Sequence, residues 1–273
     1  MNGNRKRRRE LVTAQYNSTQ SAADYEGSNL ASGHSGQFFR SRLQLVQDVL
    51  AAEPGGDLLD AGCGPGVMAR TLLESRNHDF RITLLDQSYA MVERAAANAR
   101  DHGKAGPVVG QLEAMPFAEA GFDAVLVMGS LEYADAQPAL GEISRVTRQG
   151  GLVIVTMLNP LSAYRFTEWF LYWPLRRAFA VIETLFGVPA EHRHGAQATG
   201  IRAIPARALR RLLRQADLYP VDLIYYDVTP LVPPLDRVPR LIRMAERIVP
   251  EHSTARWWSR PLATAYLIVA RRA

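Results

Sequence analysis

The spacing of apolar residues predicts one long helix followed by alternating strands and helices. Between residues 38 and 52, Phe39, Leu43 and Leu50 belong to a stripe that recurs every three to four positions, as on a helix that lies against a core. Short apolar runs then alternate with helical stretches. The predicted strands begin at Leu58 and cover residues 81–85, 108–109, 122–128 and 152–157. Their nearly continuous apolar character is typical of strands buried on both faces of a parallel sheet.

The alternation stops after Asn159 and resumes at residue 205. The remaining predicted elements are helices at 67–74, 89–100, 140–146, 205–216 and 237–249, and strands at 221–227 and 263–270. This order predicts an α/β fold with a doubly wound, mostly parallel sheet of seven strands, which binds ligands beyond the carboxyl ends of its strands. We expect a helical cap before the sheet and a helical insertion after the fifth strand.

The chain is therefore expected to form one domain behind a short tail. Its predicted parts are a disordered basic tail at 1–10, a cap at 11–55, a ligand-binding core at 56–158, an insertion at 159–204 and the C-terminal part of the core at 205–273. A composition of 47% hydrophobic and 22% charged residues is that of an ordinary globular chain.

The motif DAGCGPG at 60–66 follows the first strand, where the chain must turn sharply into a helix. Glycine permits the turn and lets the backbone approach a ligand closely. The spacing is G-x-G-x-G rather than the G-x-G-x-x-G that pairs with a pyrophosphate, and Asp60 suits a cationic group. The loop alone leaves a plain turn, a NAD site and an S-adenosylmethionine site open. Asp86 ends the second strand, where it can bind ribose hydroxyls or cap the helix that begins near Ser88.

Four ordered motifs carry a family resemblance. They are LLDAGCGPG at 58–66, TLLDQS at 83–88, GQLEAMPFAEAGFDAV at 110–125 and EISRVTRQGG at 142–151. The stretch from 58 to 158 resembles the core of the class I S-adenosylmethionine-dependent methyltransferases, which have a Rossmann-like fold. Within that class it is similar to the small-molecule group of the ubiquinone, menaquinone and biotin pathways, methyltransferase type 11.

The resemblance implies S-adenosylmethionine as the cofactor and S-adenosylhomocysteine as its product. The implied cofactor-binding residues are Tyr25, Asp60, Gly62, Cys63, Gly64, Gly66, Asp86, Gln87, Met91, Gln111, Leu112 and Met128. Gln111 departs from the family, in which an aspartate commonly accepts from the adenine amino group, but its amide oxygen can still accept. Tyr25, or else Tyr16, corresponds to a cap tyrosine that closes over the methionine end.

The acceptor atom is not identified by any motif. Methyl transfer from a sulfonium needs alignment and, for an OH or NH nucleophile, a base. The candidate catalytic residues are Glu132 and Tyr133, which follow the fourth strand, and His34. His192 and His194 stand two residues apart with no third ligand in sequence, which is poor spacing for zinc, so we expect no metal.

Seven aromatic residues lie between 166 and 187, where this family inserts a substrate lid. The predicted lid residues are Trp169, Phe170, Tyr172, Trp173 and Phe179. A lid over an apolar small molecule, of quinone, polyketide, terpenoid or indole type, competes with a homodimer contact and with an amphipathic helix on a membrane surface. Charged residues interrupt the segment, so it cannot span a bilayer.

Charge and cysteine content restrict the expected binding partners and the expected cellular setting. The basic run at 5–9 carries the whole formal net charge of +5, so the rest of the chain is neutral and lacks the balance of a broad phosphate-binding face. Nucleic acid is therefore not the expected partner. Cys63 is the only cysteine, and no signal peptide precedes the domain, so a cytoplasmic setting is expected.

Three other functions stay open on sequence grounds. An RNA or protein methyltransferase would use the basic N-terminus, but the N/D-P-P-Y/F motif of amino-methylating nucleic-acid enzymes is missing after the fourth strand. A non-catalytic S-adenosylmethionine-binding module would keep the same glycine loop. A NAD dehydrogenase is disfavoured by the loop spacing.

Overall fold

One seven-stranded sheet organises the part of the chain that the computed structural model describes. The described residues are 26–27, 34–76, 79–100, 105–175, 178, 201–249 and 253–273. The strands are β1 (Gly56–Ala61), β2 (Phe80–Asp86), β3 (Ala105–Val109), β4 (Phe122–Met128), β5 (Thr147–Leu158), β6 (Leu218–Val228) and β7 (Ala263–Arg272). Their order across the sheet is β3-β2-β1-β4-β5-β7-β6.

Strands β1 to β5 pair in parallel, and β7 is antiparallel to both β5 and β6. The order reverses direction at β1, because β2 lies on one side of it and β4 on the other. Such a switch point opens a crevice at the carboxyl ends of the strands. The predicted Rossmann-like, doubly wound, mostly parallel sheet of seven strands is thus confirmed.

Helices cover both faces of the sheet. They are α1 (His34–Ala51), α2 (Val67–Arg76), α3 (Tyr89–Ala99), α4 (Ala136–Val146), α5 (Ala163–Thr167), α6 (Ala206–Gln215) and α7 (Pro239–Ile248). One buried cluster joins α4 and α6 to the sheet, for example through Ile143 and Leu209. The other joins α1 and α2 to the opposite face, through Leu50 and Leu72. Along each buried strand, successive side chains point alternately into one cluster and into the other.

Several element boundaries differ from the sequence prediction, and two of these differences have identifiable reasons. The predicted strand at 152–157 already begins at Thr147, and Gly150 and Gly151 lie inside it. The register with β4 shifts between Phe122 and Ala124, and Gly150 has a φ of 74°. The glycines therefore accommodate a bulge. Helix α7 begins at Pro239 rather than residue 237, because proline at the first position starts a helix well.

The insertion after β5 is helical where it is described. Helix α5 runs directly into a π-helical turn, Glu168–Tyr172. Across the described ranges, no helix is long and apolar enough to cross a membrane. The predicted tail at 1–10 and most of the insertion lie outside the described residues, so the proposed division into cap, core and insertion stays a prediction.

Candidate active site

An open cavity lies at the carboxyl ends of β1, β2 and β4, at the switch point of the sheet. Its lining residues are Arg42, Leu43, Gly62, Cys63, Gly64, Pro65, Val67, Met68, Leu85, Asp86, Gln87, Ser88, Met91, Gly110, Leu112, Glu113, Met128, Gly129, Ser130, Tyr133 and Ala134. The loops after β1, β2, β3 and β4, together with α1, therefore line the same cavity.

The glycine loop adopts a backbone that only glycine tolerates well. Gly62, Gly64 and Gly66 have φ values of 81°, 53° and 76°. A Cβ on Gly62 would lie 2.2 Å from Cβ of Ser130, and one on Gly66 would lie 2.8 Å from Cβ of Ala95. The first glycine keeps the loop close to the end of β4, and the third lets α2 pack against α3. The glycines thus let the loop pack closely against the end of β4 and against α3, and we call this loop the glycine cradle.

Asp86 holds the loops after β1 and β2 together. Its Oδ2 accepts from the backbone N–H of Gly64 at 3.0 Å, and its Oδ1 accepts from that of Ser88 at 2.9 Å. Helix α3 is capped instead by Ser88, whose hydroxyl accepts from the N–H of Met91. Burial raises the pKa of Asp86, opposed by these N–H groups. Each carboxylate oxygen has two lone pairs, and Asp86 lines the cavity, so the side chain can also accept from ligand hydroxyls.

Two opposite charges are buried beside the glycine loop. Asp60 is fully buried at the end of β1, and neither of its carboxylate oxygens has a hydrogen-bond partner among the described residues. Burial raises the pKa of Asp60 to about 7, and the positive charge of Arg42 acts in the opposite direction. Arg42 is 8% exposed and lines the cavity, whereas Asp60 lies behind its wall. Arg42 therefore offers a positive charge to the cavity, and the carboxyl group of Asp60 is buried behind the wall.

Arg42 is a site residue that the sequence reasoning missed. Its guanidinium lies 4.9 Å from the ring centroid of Phe39 and 5.4 Å from that of Phe38. A Cβ on Gly129 would lie 2.7 Å from Nη1 of Arg42, so glycine makes room for the guanidinium at the end of β4. The signal was available, because an arginine three residues after Phe39 falls on the apolar stripe of α1. Burying a charge at such a position costs free energy unless another group pairs with it.

Most of the predicted cofactor-binding residues come together in the cavity. Those that line it are Gly62, Cys63, Gly64, Asp86, Gln87, Met91, Leu112 and Met128. Gln111 does not, although its neighbours Gly110 and Leu112 do, and Gly66 supports the loop from behind. Tyr25 and Tyr16 lie outside the described residues. Burial raises the pKa of the Cys63 thiol, so the cysteine is a wall residue rather than an activated nucleophile.

The structure separates the predicted catalytic residues. Tyr133 lines the cavity, but Glu132 does not. Glu132 is buried, its Oε1 accepts from the N–H of Leu158 at 3.1 Å, and its carbonyl accepts from the N–H of Arg202. These bonds tie the ends of β4 and β5 to the returning chain. The backbone of His34 begins α1, and its side chain lies outside the described residues, as do His192 and His194. Among the described residues no group of three potential metal ligands exists.

The described part of the predicted lid does not reach the cavity. Trp169, Tyr172 and Trp173 are partly buried, and Phe170 is 69% exposed, but none of them is a lining residue. Phe179 lies outside the described residues. The lid function of the insertion stays a prediction.

Glu26 ties the N-terminal segment to the glycine loop. Its carboxylate accepts from Nε of Arg94 at 2.6 Å and from Nδ2 of Asn98 at 3.0 Å, and Nη1 of Arg70 lies 3.7 Å away. Asn98 also donates to the carbonyl of Pro65 at 2.8 Å. The sequence reasoning missed this contact, because its partners are 44 or more residues apart. The segment next to Tyr25 is thereby anchored beside the cavity.

Comparisons with known proteins agree with this geometry. Residues 59–155 match the family model described as a methyltransferase domain. Residues 59–155 therefore form a class I methyltransferase domain. The identification from sequence motifs is confirmed, and with it S-adenosylmethionine as the cofactor used by this domain type.

Two curated relatives give the extent of the similarity. The chain is 31% identical to malonyl-[acyl-carrier protein] O-methyltransferase of Dechloromonas aromatica, over 59% of this chain and 57% of the relative. It is 33% identical to demethylmenaquinone methyltransferase of Thermotoga maritima, over 46% of this chain and 53% of the relative. The chain thus spans about half the length of the curated relatives it matches.

Solved structures extend the likeness of the fold beyond the methyltransferase domain. A possible histamine N-methyltransferase from Thermotoga maritima aligns with a TM-score of 0.57 at 16% identity, covering 93% of this chain and 97% of that one. Geranyl diphosphate C-methyltransferase from Streptomyces coelicolor, solved with Mg²⁺, geranyl diphosphate and S-adenosylhomocysteine, aligns with a TM-score of 0.51 at 19% identity, covering 86% and 79%. At these identities the likeness concerns the fold.

The residues of the cavity fit S-adenosylmethionine by their chemistry. The methionine end of that molecule carries an ammonium and a carboxylate, which match the unpartnered carboxylate of Asp60 and the cationic Arg42. Its ribose offers two hydroxyls to Asp86. Arg42 and Asp86, which line the cavity, thus have the chemistry to bind the carboxylate and the ribose of the cofactor.

The Glu26 anchor leads to a first prediction. Glu26→Gln keeps the shape of the side chain but removes the charge that Arg70 and Arg94 face, so the N-terminal segment should bind the glycine loop less firmly. Because both arginines are partly exposed, we expect a modest weakening of S-adenosylmethionine binding, about fivefold in Kd, which corresponds to roughly 1 kcal/mol. Calorimetric titration measures it. Glu93 is an exposed glutamate on α3, the helix that carries Arg94, and Glu93→Gln is the control. Equal Kd values for the two variants would contradict the anchoring role.

Proposed function

We propose that this chain is a methyltransferase that transfers a methyl group from S-adenosylmethionine to an apolar small molecule in the cavity at the carboxyl ends of β1, β2 and β4. The observation that carries the proposal is the coincidence of the glycine cradle, Asp86 and the buried Arg42 around one open cavity, with the buried carboxyl group of Asp60 behind its wall. A plain turn would need none of these charges, and their burial costs free energy in the absence of a ligand.

The proposed roles follow from the position of each group. Arg42 binds the carboxylate and Asp60 attracts the ammonium of the methionine end, which orients the sulfonium toward the end of β4. Asp86 accepts hydrogen bonds from the ribose while it keeps the loops after β1 and β2 in register. Met91 and Leu112 supply apolar surface for the ribose and adenine. When bound, S-adenosylmethionine supplies an activated methyl group on a positively charged sulfur.

An apolar acceptor is supported by the composition of the remaining wall. Leu43, Met68, Met128 and Ala134 line the cavity, and Tyr133 adds an aromatic ring with a hydroxyl. Pockets of this composition bind apolar molecules and orient them with few polar contacts. Demethylmenaquinone methyltransferase, one of the similar proteins, is named for a quinone. A quinone, polyketide, terpenoid or indole compound is therefore the proposed acceptor class.

The chain's own groups would mainly align the acceptor and exclude water. Tyr133 is the residue of the predicted catalytic set that faces the cavity, so we assign it the contact with the acceptor. Glu132 acts as a positioning residue, because its bond to the N–H of Leu158 holds the end of β4 against β5. The insertion at 159–204 is proposed to cover the acceptor, and residues 11–55 to cover the cofactor.

The test is calorimetric titration of the whole chain with S-adenosylmethionine and S-adenosylhomocysteine, with NADH as the control ligand. We expect micromolar binding of the first two and none of NADH. Absence of S-adenosylmethionine binding at millimolar concentration would refute the proposal. Binding without methyl transfer to any member of a panel of quinones, polyketides, terpenoids and indoles would support a non-catalytic binding module instead.

The buried Asp60 gives a pH-dependent prediction. Its pKa of about 7 in the folded protein exceeds the usual value of about 4, so the folded state retains a proton that the unfolded chain has released. This contribution to stability is fully present below pH about 4 and is lost as the pH rises through about 7. Asp60→Asn removes the titration, so the variant should gain Tm relative to the wild type between pH 5 and 8.

The same substitution should weaken cofactor binding. The ionised carboxylate is the form that attracts an ammonium, so the affinity of the wild type for S-adenosylmethionine should rise from pH 6 to 8, while that of Asp60→Asn should stay flat and be about tenfold lower at pH 8. Parallel pH profiles of Kd in the two proteins would show that Asp60 has no part in binding.

A further inference from the structure

Large exposed apolar side chains are concentrated at one end of the molecule. Eleven of the fifteen such residues in the described part of the chain lie in three segments, at 159–175 after β5, 229–249 after β6 and 253–262 before β7. We call these segments together the apolar face. Isolated exposed apolar residues are ordinary, but a concentration of this kind marks a surface that contacts something other than water.

Hydrogen bonds join the three segments to one another. The hydroxyl of Tyr164 donates to Asp236 at 2.7 Å, which joins the first segment to the second. The N–H of Thr229 donates to the carbonyl of Leu262 at 3.0 Å, which joins the second to the third. All three lie at the edge of the sheet where β5 and β6 end and β7 begins. The loops that line the cavity also follow the carboxyl ends of their strands, so they lie at the same edge of the sheet.

Two adjacent tryptophans are the most unusual feature of the apolar face. Trp257 is 79% exposed and Trp258 is 60% exposed. Arg256 and Arg260, both exposed, flank the pair. An indole ring is poorly placed in water, but it is favoured at the level of lipid headgroups, where its body meets hydrocarbon and its N–H meets water. Exposed arginines on either side can reach phosphate groups at the same depth.

Helix α7 repeats the combination of apolar and basic side chains. Met244 and Ile248 are 54% and 68% exposed, and Arg240, Arg243 and Arg247 are exposed on the same short helix. A helix with exposed apolar residues beside arginines suits the boundary between headgroups and acyl chains. The basic helix α6 offers a contrast, because its leucines are buried or partly buried while Arg207, Arg211 and Arg214 are exposed.

The charge of the apolar face is positive. The three segments contain seven arginines and three acidic residues. Of the acidic side chains described on the face, Asp236 accepts from Tyr164, and Glu168 pairs with Arg165, so both carboxylates are engaged within the protein. The excess of arginines over acidic residues favours contact with an anionic surface.

We propose that the apolar face docks on the surface of an anionic phospholipid membrane. A symmetric dimer through the same face would bring its arginines against those of a second copy, which is unfavourable. A nucleic acid would match the arginines but would leave Met244, Ile248 and Leu161 without apolar contacts. The docking itself does not depend on the proposed function. Where that function holds, docking brings the mouth of the cavity to the layer in which apolar acceptors dissolve.

The experiment is co-sedimentation of the full chain with sucrose-loaded vesicles of phosphatidylcholine alone or mixed with phosphatidylglycerol. We expect at least about tenfold stronger binding to the mixed vesicles, which weakens at high salt. Trp257→Ala with Trp258→Ala, and separately Arg243→Glu with Arg247→Glu, should each reduce binding about tenfold or more.

Matched control variants distinguish docking through the apolar face from nonspecific binding to vesicles. Tyr219→Ala removes a half-exposed aromatic ring at the opposite edge of the sheet, and Arg211→Glu reverses an exposed charge on α6. Both should bind vesicles like the wild type. Affinity for S-adenosylmethionine and Tm, measured on every variant, show that the fold is intact and test the proposed function separately.

Several outcomes would overturn the proposal. The first is equal binding to neutral and anionic vesicles, and the second is equal loss in the face variants and the controls. The third is a wild-type dimer in light scattering that Trp257→Ala with Trp258→Ala dissociates, which would assign the face to a second copy. The fourth is binding to duplex RNA that the face variants abolish while vesicle binding is unaffected.

Discussion

Replacing Asp86 with alanine is expected to weaken S-adenosylmethionine binding at least about 100-fold. The proposed ribose contacts are two hydrogen bonds to a charged acceptor, each contributing about 1.5 to 3 kcal/mol, and about 1.4 kcal/mol corresponds to a factor of ten. The substitution also removes the acceptors for the N–H groups of Gly64 and Ser88, so the loops after β1 and β2 lose their common partner. Both effects act in the same direction.

Calorimetry on a pair of Asp86 variants separates the two effects. Asp86→Asn retains one carbonyl oxygen but no charge, so its affinity should fall between those of the wild type and Asp86→Ala. Asp48→Ala, on the exposed side of α1, is the control and should bind like the wild type. If Asp86→Ala binds S-adenosylmethionine with unchanged affinity, the assignment of Asp86 to the ribose is wrong.

Gly62→Ala is expected to destabilise the fold by roughly 2 to 5 kcal/mol and to abolish cofactor binding. The left-handed backbone at φ 81° costs an alanine roughly 1 to 2 kcal/mol, and an added methyl in a packed site costs about 1 to 3 kcal/mol. The new Cβ would stand 2.2 Å from Cβ of Ser130, an atom that no rotation of the serine hydroxyl can move away. The loop or the end of β4 must therefore shift, and both line the cavity.

Denaturant unfolding with a glycine control tests this prediction. Gly141→Ala lies inside α4 with open space around its Cβ, so the same chemical change there should stabilise by about 0.5 to 1 kcal/mol. Adding Ser130→Gly to Gly62→Ala should recover the steric part but not the backbone part. A Gly62→Ala variant as stable as the wild type would mean that the loop has another accessible conformation.

Both predictions concern a site whose own groups are unfavourable for the free protein. Asp60 and Asp86 are buried carboxylates with raised pKa values, and Arg42 is a buried cation. Buried charged groups that destabilise the free protein are typical of functional sites, because a ligand that pairs with these groups offsets the cost of burying them. The exposed tryptophans of the apolar face are likewise unfavourable in water, and docking on a membrane would bury them.

Local patterns were sufficient for the sheet and the glycine loop. Each buried strand is a continuous apolar run, and helix periodicity between the runs leaves little choice of fold class. The loop is identified because its glycines are required by the local backbone, as the φ values at Gly62 and Gly66 show. Asp86 could be placed at the site since the end of a parallel strand always faces the same edge.

Contacts between distant segments were beyond local patterns. Arg42 lies on a helix that could pack anywhere along the sheet, and only its position beside Gly129 brings it into the cavity. Glu132 follows the same strand as Tyr133, yet it turns away from the cavity to bond Leu158. Neighbouring residues after a strand point in different directions, so sequence position alone could not distinguish them.

The sequence by itself therefore determined the class of fold, the glycine loop and the type of cofactor, because these depend on periodicity and on backbone conformations within a few residues. The tertiary structure alone decided which charges share the cavity, how Glu26 anchors the N-terminal segment and where the exposed apolar residues gather. These features arise from contacts between segments far apart in the chain. Such contacts depend on how helices and loops pack on the sheet, which no short stretch of sequence specifies.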